Sequence, residues 1–263
     1  MLIGIRSDCV TGAETLEEKM TILKSIGCDF VELVVNPEML GQLTGSEFEE
    51  KYFPKQALRE LNRISVETGM PIKSVSYGGM FEYAVKPDGE RAACRRELRQ
   101  CIELSSALGA DTILIATCEL QTEFKEAAQK YKTELQPELD FALSRNVRLC
   151  FEPVARGNKN ANVVMLVQTI NHAAAYTYFD MGNCIHFGED PVAALADCAE
   201  FVGALHIKPG RDMLLGEMPL AGILNILDNA GFDGVGVLEM NGGDGNKVLS
   251  SALETLDTVG YRE

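Results

Sequence analysis

The sequence lacks an excess of basic residues and any long apolar run, and each absence excludes a class of protein. Lysine and arginine number 24 against 39 aspartates and glutamates, which gives a net charge of −15 at pH 7. Because that charge repels phosphate backbones, we expect no nucleic-acid partner. No apolar run approaches the roughly 20 residues that span a bilayer, so we also expect no membrane association. A soluble globular protein is the class that remains.

Closely spaced cysteine pairs and a targeting signal are also missing. The eight cysteines are scattered, and no two have the spacing of a zinc knuckle or a redox motif. We therefore expect free thiols in a reducing compartment. The chain opens on MLIGIRSDC, without a basic segment or an apolar stretch of signal length. These features predict a cytoplasmic protein.

Eight short runs rich in valine and isoleucine recur along the chain. They are LIGI (2–5), FVELVV (30–35), IKSVSY (72–77), TILIAT (112–117), VRLCFE (147–152), YTYFD (176–180), GALHI (203–207) and GVGVLEM (234–240). Segments of helical period such as 92–108 and 246–259 lie between them. This alternation predicts an α/β fold, a (β/α)8 TIM barrel that forms one domain over 1–263. A doubly wound sheet is the alternative, but no G-x-G-x-x-G turn follows the first strand.

Ionisable residues end the last four apolar runs. They are Glu152, Asp180, His206 and Glu239. In a barrel, the carboxyl ends of the strands form the active-site face. A carboxylate or imidazole there is costly to bury unless it is paired or bound to a metal. Taken singly, each residue could be an ion pair, a cap or a satisfied core histidine, but together they predict a divalent-cation site.

Three carboxylates and one imidazole form an oxygen-rich ligand set. Such a set favours hard cations, so we expect one divalent ion, with Mn²⁺ favoured and Mg²⁺, Co²⁺ or Zn²⁺ as alternatives. A hydroxy-ketone could fill the open coordination positions, where the cation would stabilise the enediolate formed by removing the proton next to the carbonyl. His186, six residues beyond Asp180, is a further candidate for substrate contact.

Four segments, FEPVARGN, FDMGNCIHFGEDP, LHIKPGRD and VLEMNGG, resemble motifs of the xylose-isomerase-like barrel superfamily of sugar (phosphate) isomerases and epimerases. The superfamily includes ketose 3-epimerases, hydroxypyruvate isomerase and inosose dehydratase, and the resemblance is strongest over 147–243. It implies that Glu152, Asp180, His206 and Glu239 are metal ligands. It also implies that the two glutamates are the acid/base pair.

The resemblance further implies a set of substrate contacts, namely Glu32, Arg156, Asn183, Lys208 and Arg211. Asn183 stands where family members often carry a histidine. Pro209 replaces the aspartate that commonly follows the lysine of this motif. We therefore expect Asp212 or Glu217 to supply the carboxylate that partners Lys208.

Together these features predict a divalent-metal-dependent sugar (phosphate) isomerase or epimerase that acts on a small carbohydrate. Glu152 and Glu239 come from strands five and eight, so they can flank a substrate from opposite sides, which suits epimerisation. A metal-dependent lyase or dehydratase acting on an inositol-like or oxidised sugar is one alternative. A non-catalytic barrel subunit of a complex is another. Loops 36–55 and 77–90 are expected to close over the barrel mouth, and the sequence leaves assembly into a homo-oligomer open.

Overall fold

A computed structural model describes residues 1–35, 55–117, 123–154 and 159–262. Eight parallel strands form a closed barrel, in which each strand pairs with the next and the eighth pairs with the first. The strands are β1 Ile3–Arg6, β2 Phe30–Val35, β3 Ile72–Tyr77, β4 Thr112–Thr117, β5 Arg148–Pro153, β6 Ala175–Asp180, β7 Val202–Ile207 and β8 Val235–Leu238. The predicted eight-stranded barrel is confirmed.

Helices connect the strands and surround the barrel. The α-helices of the described residues are α1 Leu16–Ser25, α2 Lys55–Thr68, α3 Asp88–Leu108, α4 Phe124–Glu134, α5 Gln136–Ser144, α6 Asn160–Ile170, α7 Met181–His186, α8 Pro191–Ala196, α9 Leu220–Ala230 and α10 Lys247–Val259. Short 3₁₀ turns cover Ser7–Cys9, Tyr83–Val85, Ala199–Phe201, Leu215–Glu217 and Asp244–Asn246. Within the described parts of the chain, no helix has the length and apolar composition needed to cross a membrane.

Local capping signals set where helices begin and end. Helix α1 starts at a capping box, in which the Thr15 hydroxyl accepts from the Glu18 backbone N–H and the Glu18 carboxylate accepts from the Thr15 N–H. Helix α3 is capped at its C-terminus by Gly109, which adopts a positive φ of 73°. Glycine reaches this conformation without strain because it has no Cβ atom. The chain then turns into β4 within three residues. Short αβ turns of this kind bring each strand back to the barrel in the same direction.

Apolar side chains pack in two layers. The larger layer lies between the strands and the surrounding helices. The smaller one fills the barrel and consists of Phe30, Leu114, Cys150, Tyr178, Ala204, Val235 and Val237. Side chains alternate along a strand, so the residue two positions beyond an interior residue also points inward. That rule directs Glu32, Glu152, Asp180, His206 and Glu239 to the carboxyl end of the barrel interior.

The cysteines are part of this packing. The seven described cysteines are free and buried, as the scattered spacing predicted. Cys150 belongs to the barrel interior, and Cys94 and Cys101 lie on the buried face of α3. Cys118 lies outside the described residues. Buried thiols of this kind act as small hydrophobic side chains.

Candidate metal centre and active site

The four predicted metal ligands meet at the carboxyl ends of β5 to β8. Glu152, Asp180, His206 and Glu239 each offer one ligand atom, and these atoms all lie within 4.8 Å of one another. The first three residues are buried, whereas the Glu239 side chain is 22% exposed. The strand register produces this grouping, because Asp180 is the direct partner of His206 between β6 and β7.

One imidazole nitrogen faces all three carboxylates. His206 Nδ1 lies 2.7 Å from Glu152 Oε1, 3.3 Å from Glu239 Oε2 and 3.7 Å from Asp180 Oδ2. Asp180 Oδ2 is buried, and the ammonium of Lys208 lies 2.6 Å from it. A hard divalent cation suits such a donor set, because it neutralises carboxylates that are buried side by side.

Two basic side chains offset the negative charge of the group. Lys208 Nζ lies 2.6 Å from Asp180 Oδ2 and 2.6 Å from Glu239 Oε2. Arg6, the last residue of β1, donates to the other oxygen of Glu239 and also to Asp8. Both oxygens of Glu239 therefore face a cation, and the contact with Arg6 joins the first and last strands of the barrel.

The prediction that Asp212 or Glu217 partners Lys208 is wrong. Both residues are exposed in the segment after β7, and Glu217 instead accepts from the Leu214 backbone N–H at 2.7 Å. Lys208 turns inward because Asp180 and Glu239 already offer two carboxylates within reach. Asp180 and Glu239 therefore supply the negative charge that an aspartate in place of Pro209 would have offered to Lys208.

Burial and neighbouring charges shift the pKa values of Glu152, Asp180 and His206 in different directions. Burial raises the pKa of Glu152 to about 7, and the charges of Asp180 and Glu239 act in the same direction. Burial opposes ionisation of Asp180 too, but contact with His206 and the charge of Lys208 hold its pKa well below its usual range. For His206, the charges of Glu152 and Glu239 outweigh burial, so its pKa lies well above the ordinary value.

A cavity of about 490 Å³ opens onto this group. Its walls are formed by Arg6, Val34, Val35, Ser76, Gly78, Phe81, Leu114, Ala116, Glu152, Val154, Asn183, Lys208 and Glu239. Its volume lies within the range of small-molecule sites, and its lining combines apolar side chains with a few charged ones. The cavity therefore suits a small polar ligand held at one end by the charged group.

Two of the predicted substrate contacts, Asn183 and Lys208, line the cavity. Asp180 caps the N-terminus of α7 by accepting from the Asn183 backbone N–H at 2.8 Å. The Asn183 side chain donates to the Pro153 carbonyl at 2.9 Å. These two hydrogen bonds fix the position of the Asn183 side-chain amide relative to the four predicted ligands. Arg156 lies outside the described residues.

The structure does not bring His186 or Arg211 to the cavity. Helix α7 carries His186 away from the strand end to an exposed position. Its ring packs edge-on against the Phe187 ring, with 5.0 Å between the ring centroids. Arg211 is exposed in the segment after β7. The prediction for His186 came from its distance to Asp180 along the chain, and the prediction for Arg211 came from the family resemblance. The direction of the chain after β6 and β7 takes both residues away from the cavity.

Glu32 is buried and does not line the cavity, so the structure does not support its predicted contact with substrate. Its carboxylate accepts from Ser74 Oγ at 2.5 Å and from the Tyr178 hydroxyl at 2.8 Å. Its other oxygen lies 3.1 Å from His206 Nε2. Glu32 points into the barrel below the ligand group, which explains why it contacts His206 and not the open cavity.

Of the two loops predicted to cover the barrel mouth, 77–90 contributes Gly78 and Phe81 to the cavity lining. Within 77–90, Phe81 lines the cavity and is 43% exposed. Tyr77 and Tyr83 turn away, because their hydroxyls donate to Cys94 and Glu134 on the surrounding helices. Nearly all of the other loop, 36–55, lies outside the described residues.

Sequence reasoning missed Arg6, the cationic partner of Glu239. The signal was present, since Arg6 directly follows the apolar run LIGI as the other site residues follow or end their runs. The prediction from strand ends covers the last four strands and leaves out β1. In a closed barrel, β1 lies beside β8, so its final residue belongs to the same face.

Comparison with known proteins agrees with the barrel fold. The family model described as xylose isomerase-like TIM barrel matches residues 20–259. L-ribulose-5-phosphate 3-epimerase UlaE of Escherichia coli O157:H7 is 23% identical over 255 residues, which cover 90% of this chain and 86% of that protein. Several other matched relatives are UlaE proteins of further Escherichia coli strains and of Shigella.

Solved structures of similar fold include two sugar epimerases and a zinc-containing protein. 3-Keto-D-glucoside 4-epimerase YcjR from E. coli has a TM-score of 0.77 at 17% identity, over 98% of this chain and 99% of that one. D-Psicose 3-epimerase from Clostridium cellulolyticum H10, solved with D-tagatose, has a TM-score of 0.75 at 16% identity, over 99% of each chain. The IolI protein, solved with a zinc atom, has a TM-score of 0.78 at 14% identity, over 99% of each chain.

Proposed function

Because the chain belongs to the xylose isomerase-like TIM-barrel family, as its motifs predicted, we propose that it is a divalent-metal-dependent epimerase or isomerase of a ketose or ketose phosphate. The observation that carries the proposal is the convergence of Glu152, Asp180, His206 and Glu239 beside a cavity of about 490 Å³. The relatives support the substrate class, because their names specify ketoses and a ketose phosphate.

The proposal includes one divalent cation held by these four residues. Their three carboxylates and one imidazole match the preference of Mn²⁺, Mg²⁺ and Co²⁺ for hard ligands. We favour Mn²⁺, while the zinc atom in IolI makes Zn²⁺ the strongest alternative. When bound, the cation supplies positive charge that stabilises the negative charge developing on the substrate oxygens.

The proton transfers are assigned to Glu152 and Glu239. Both side chains line the cavity, and they come from β5 and from the residue after β8. In the proposed reaction, one carboxylate takes the proton from the carbon next to the carbonyl and the other returns a proton from the opposite face.

Neighbouring polar side chains orient the substrate in this proposal. Asn183 and Lys208 line the cavity beside the ligand group, where they can donate to substrate hydroxyl and carbonyl oxygens. Arg156 remains a predicted contact. Phe81 and Val34 add apolar side chains to the wall of the cavity.

Hydrogen exchange with solvent tests the proposal and separates the reaction classes. The protein would be incubated in D₂O with Mn²⁺ and a panel of ketoses and ketose 5-phosphates, including ribulose 5-phosphate, psicose and tagatose. Both an epimerase and an isomerase incorporate deuterium next to the carbonyl. An epimerase inverts that carbon and leaves the carbonyl in place, whereas an isomerase moves the carbonyl to the neighbouring carbon. A lyase or dehydratase loses water or another group. Absence of exchange with every sugar, in Mn²⁺, Mg²⁺, Co²⁺ and Zn²⁺ alike, would contradict the proposal.

A further inference from the structure

A buried carboxylate is aimed at the side of the His206 ring that faces away from the other ligands. Glu32 Oε1 lies 3.1 Å from His206 Nε2, and both side chains are fully buried. The opposite ring nitrogen, Nδ1, lies 2.7 Å from Glu152 Oε1. The two nitrogens of this imidazole therefore have different partners, one among the metal ligands and one outside them.

Glu32 is itself held in a fixed orientation. Its Oε2 accepts from Ser74 Oγ at 2.5 Å and from the Tyr178 hydroxyl at 2.8 Å. Because both of these donors bind Oε2, the other oxygen, Oε1, faces His206. The Tyr178 ring also packs against the imidazole, with 4.5 Å between the ring centroids. Strands β2, β3 and β6 thus fix both the carboxylate and the plane of the histidine ring.

We propose that Glu32 is a positioning residue that selects the His206 tautomer for metal binding. A carboxylate at Nε2 accepts the Nε2–H hydrogen bond, which leaves Nδ1 without a proton and free to ligate the cation. The inference rests on the proposed cation site. It replaces the predicted substrate contact of Glu32, which the position of this side chain away from the cavity lining does not support.

The tautomer can be read directly in the unaltered protein. The chain has only three histidines, His172, His186 and His206, so ¹⁵N-histidine labelling gives a spectrum that is simple to assign. Variants His172→Gln and His186→Gln identify the remaining signal. In the Zn²⁺-loaded protein, we expect His206 to show a protonated Nε2 and a metal-bound Nδ1. Metal bound through Nε2, or a proton on Nδ1, would overturn the inference.

A pair of substitutions at Glu32 provides the second test. Glu32→Met removes the acceptor at similar size, and it should weaken Mn²⁺ and Zn²⁺ binding by about 10- to 100-fold in calorimetry. Glu32→Gln keeps an acceptor oxygen, while the Ser74 and Tyr178 hydroxyls can rotate to accept from its amide. It should therefore bind within about threefold of the parent. Glu103→Met, at an exposed position on α3, is the matched control and should bind like the parent.

The outcomes separate this inference from the proposed function. Failure of the parent to bind any divalent cation would refute the function and the inference together. A parent that binds metal, with a folded Glu32→Met variant that binds it equally well, would refute the inference alone. If Glu32→Met does not fold, Tyr178→Phe serves in its place, since it removes one donor to Oε2 and should shift the His206 ¹⁵N signals. Unchanged signals in that variant would count against the inference.

Discussion

The sharpest test of the proposed chemistry is the substitution Glu239→Gln. The amide has the size of the carboxylate and keeps one oxygen that can ligate a cation, but it does not accept a proton at neutral pH. In the structure, the two carboxylate oxygens accept from Arg6 and Lys208. The amide oxygen satisfies only one of these donors. Lys208 nevertheless keeps Asp180 at 2.6 Å, so it is not left unpaired.

The size of the effect follows from the role assigned to the group. A positioned acid or base typically contributes about 10²–10⁴-fold in rate. At about 1.36 kcal/mol for each tenfold change, the barrier should rise by about 2.7–5.4 kcal/mol. Metal content should stay near that of the parent, because three of the four ligands and the amide oxygen remain. Glu152→Gln should show the same pattern, as expected for the other member of the pair.

The assay compares two readouts on the same samples. Deuterium incorporation into the ketose substrate gives the proton-transfer rate, and elemental analysis gives the metal content. Glu254→Gln is the matched control, since Glu254 is exposed on α10 and should leave both readouts unchanged. A Glu239→Gln protein that keeps its metal and exchanges protons at the parental rate would refute the two-glutamate mechanism. The barrel and its cation site would stand, with the chemistry reassigned to Glu152 and Lys208.

Three further predictions follow from the site and the core. Asp180→Ala removes a buried ligand, so purified protein should hold well below the roughly one divalent cation per chain expected for the parent, and unchanged content in elemental analysis would contradict the site. Cation affinity, measured by calorimetry between about pH 6 and pH 8, should rise with pH. The cause is that metal-free protein holds protons on Glu152, with a pKa of about 7, and on His206, whose pKa is also raised, and the cation displaces both. A pH-independent affinity would refute this account. Phe30→Ala, inside the barrel, should lower the free energy of unfolding by about 3–5 kcal/mol in urea titrations. The exposed Val66→Ala should change it by less than about 0.5 kcal/mol, and equal effects would contradict the assigned core.

Most of the fold could be predicted because the strands are short apolar runs bounded by turn signals. The predicted ranges 30–35, 72–77 and 112–117 coincide with β2, β3 and β4. The last strand is shorter than the predicted 234–240, since it ends at Leu238. Glu239 and the residues after it leave the sheet to form the mouth of the barrel. Hydrophobicity marks the apolar run, but pairing with neighbouring strands decides where the strand ends.

The grouping of Glu152, Asp180, His206 and Glu239 was predictable for a related reason, whereas the surroundings of this group were not. Strand direction and side-chain alternation place Asp180 and His206 at one level of the barrel without knowledge of loops. The positions of His186 and Arg211 depend on how the chain turns after a strand, and no periodic signal reports that. The contact between Glu32 and His206 crosses the barrel interior from β2 to β7. Such a contact depends on barrel closure and side-chain rotamers, which the sequence pattern does not encode.

The contact between Arg6 and Glu239 has a consequence for the order in which the protein matures. These residues stand 233 positions apart and meet only because β8 pairs with β1. During synthesis, Glu152, Asp180 and His206 are therefore translated before Glu239, the fourth proposed ligand. A nascent chain that ends before β8 lacks both the seam and the full cation site. Because the proposed cation would bind only the closed barrel and would stabilise it by mass action, we expect metal supply to affect the last step of folding of a newly made chain.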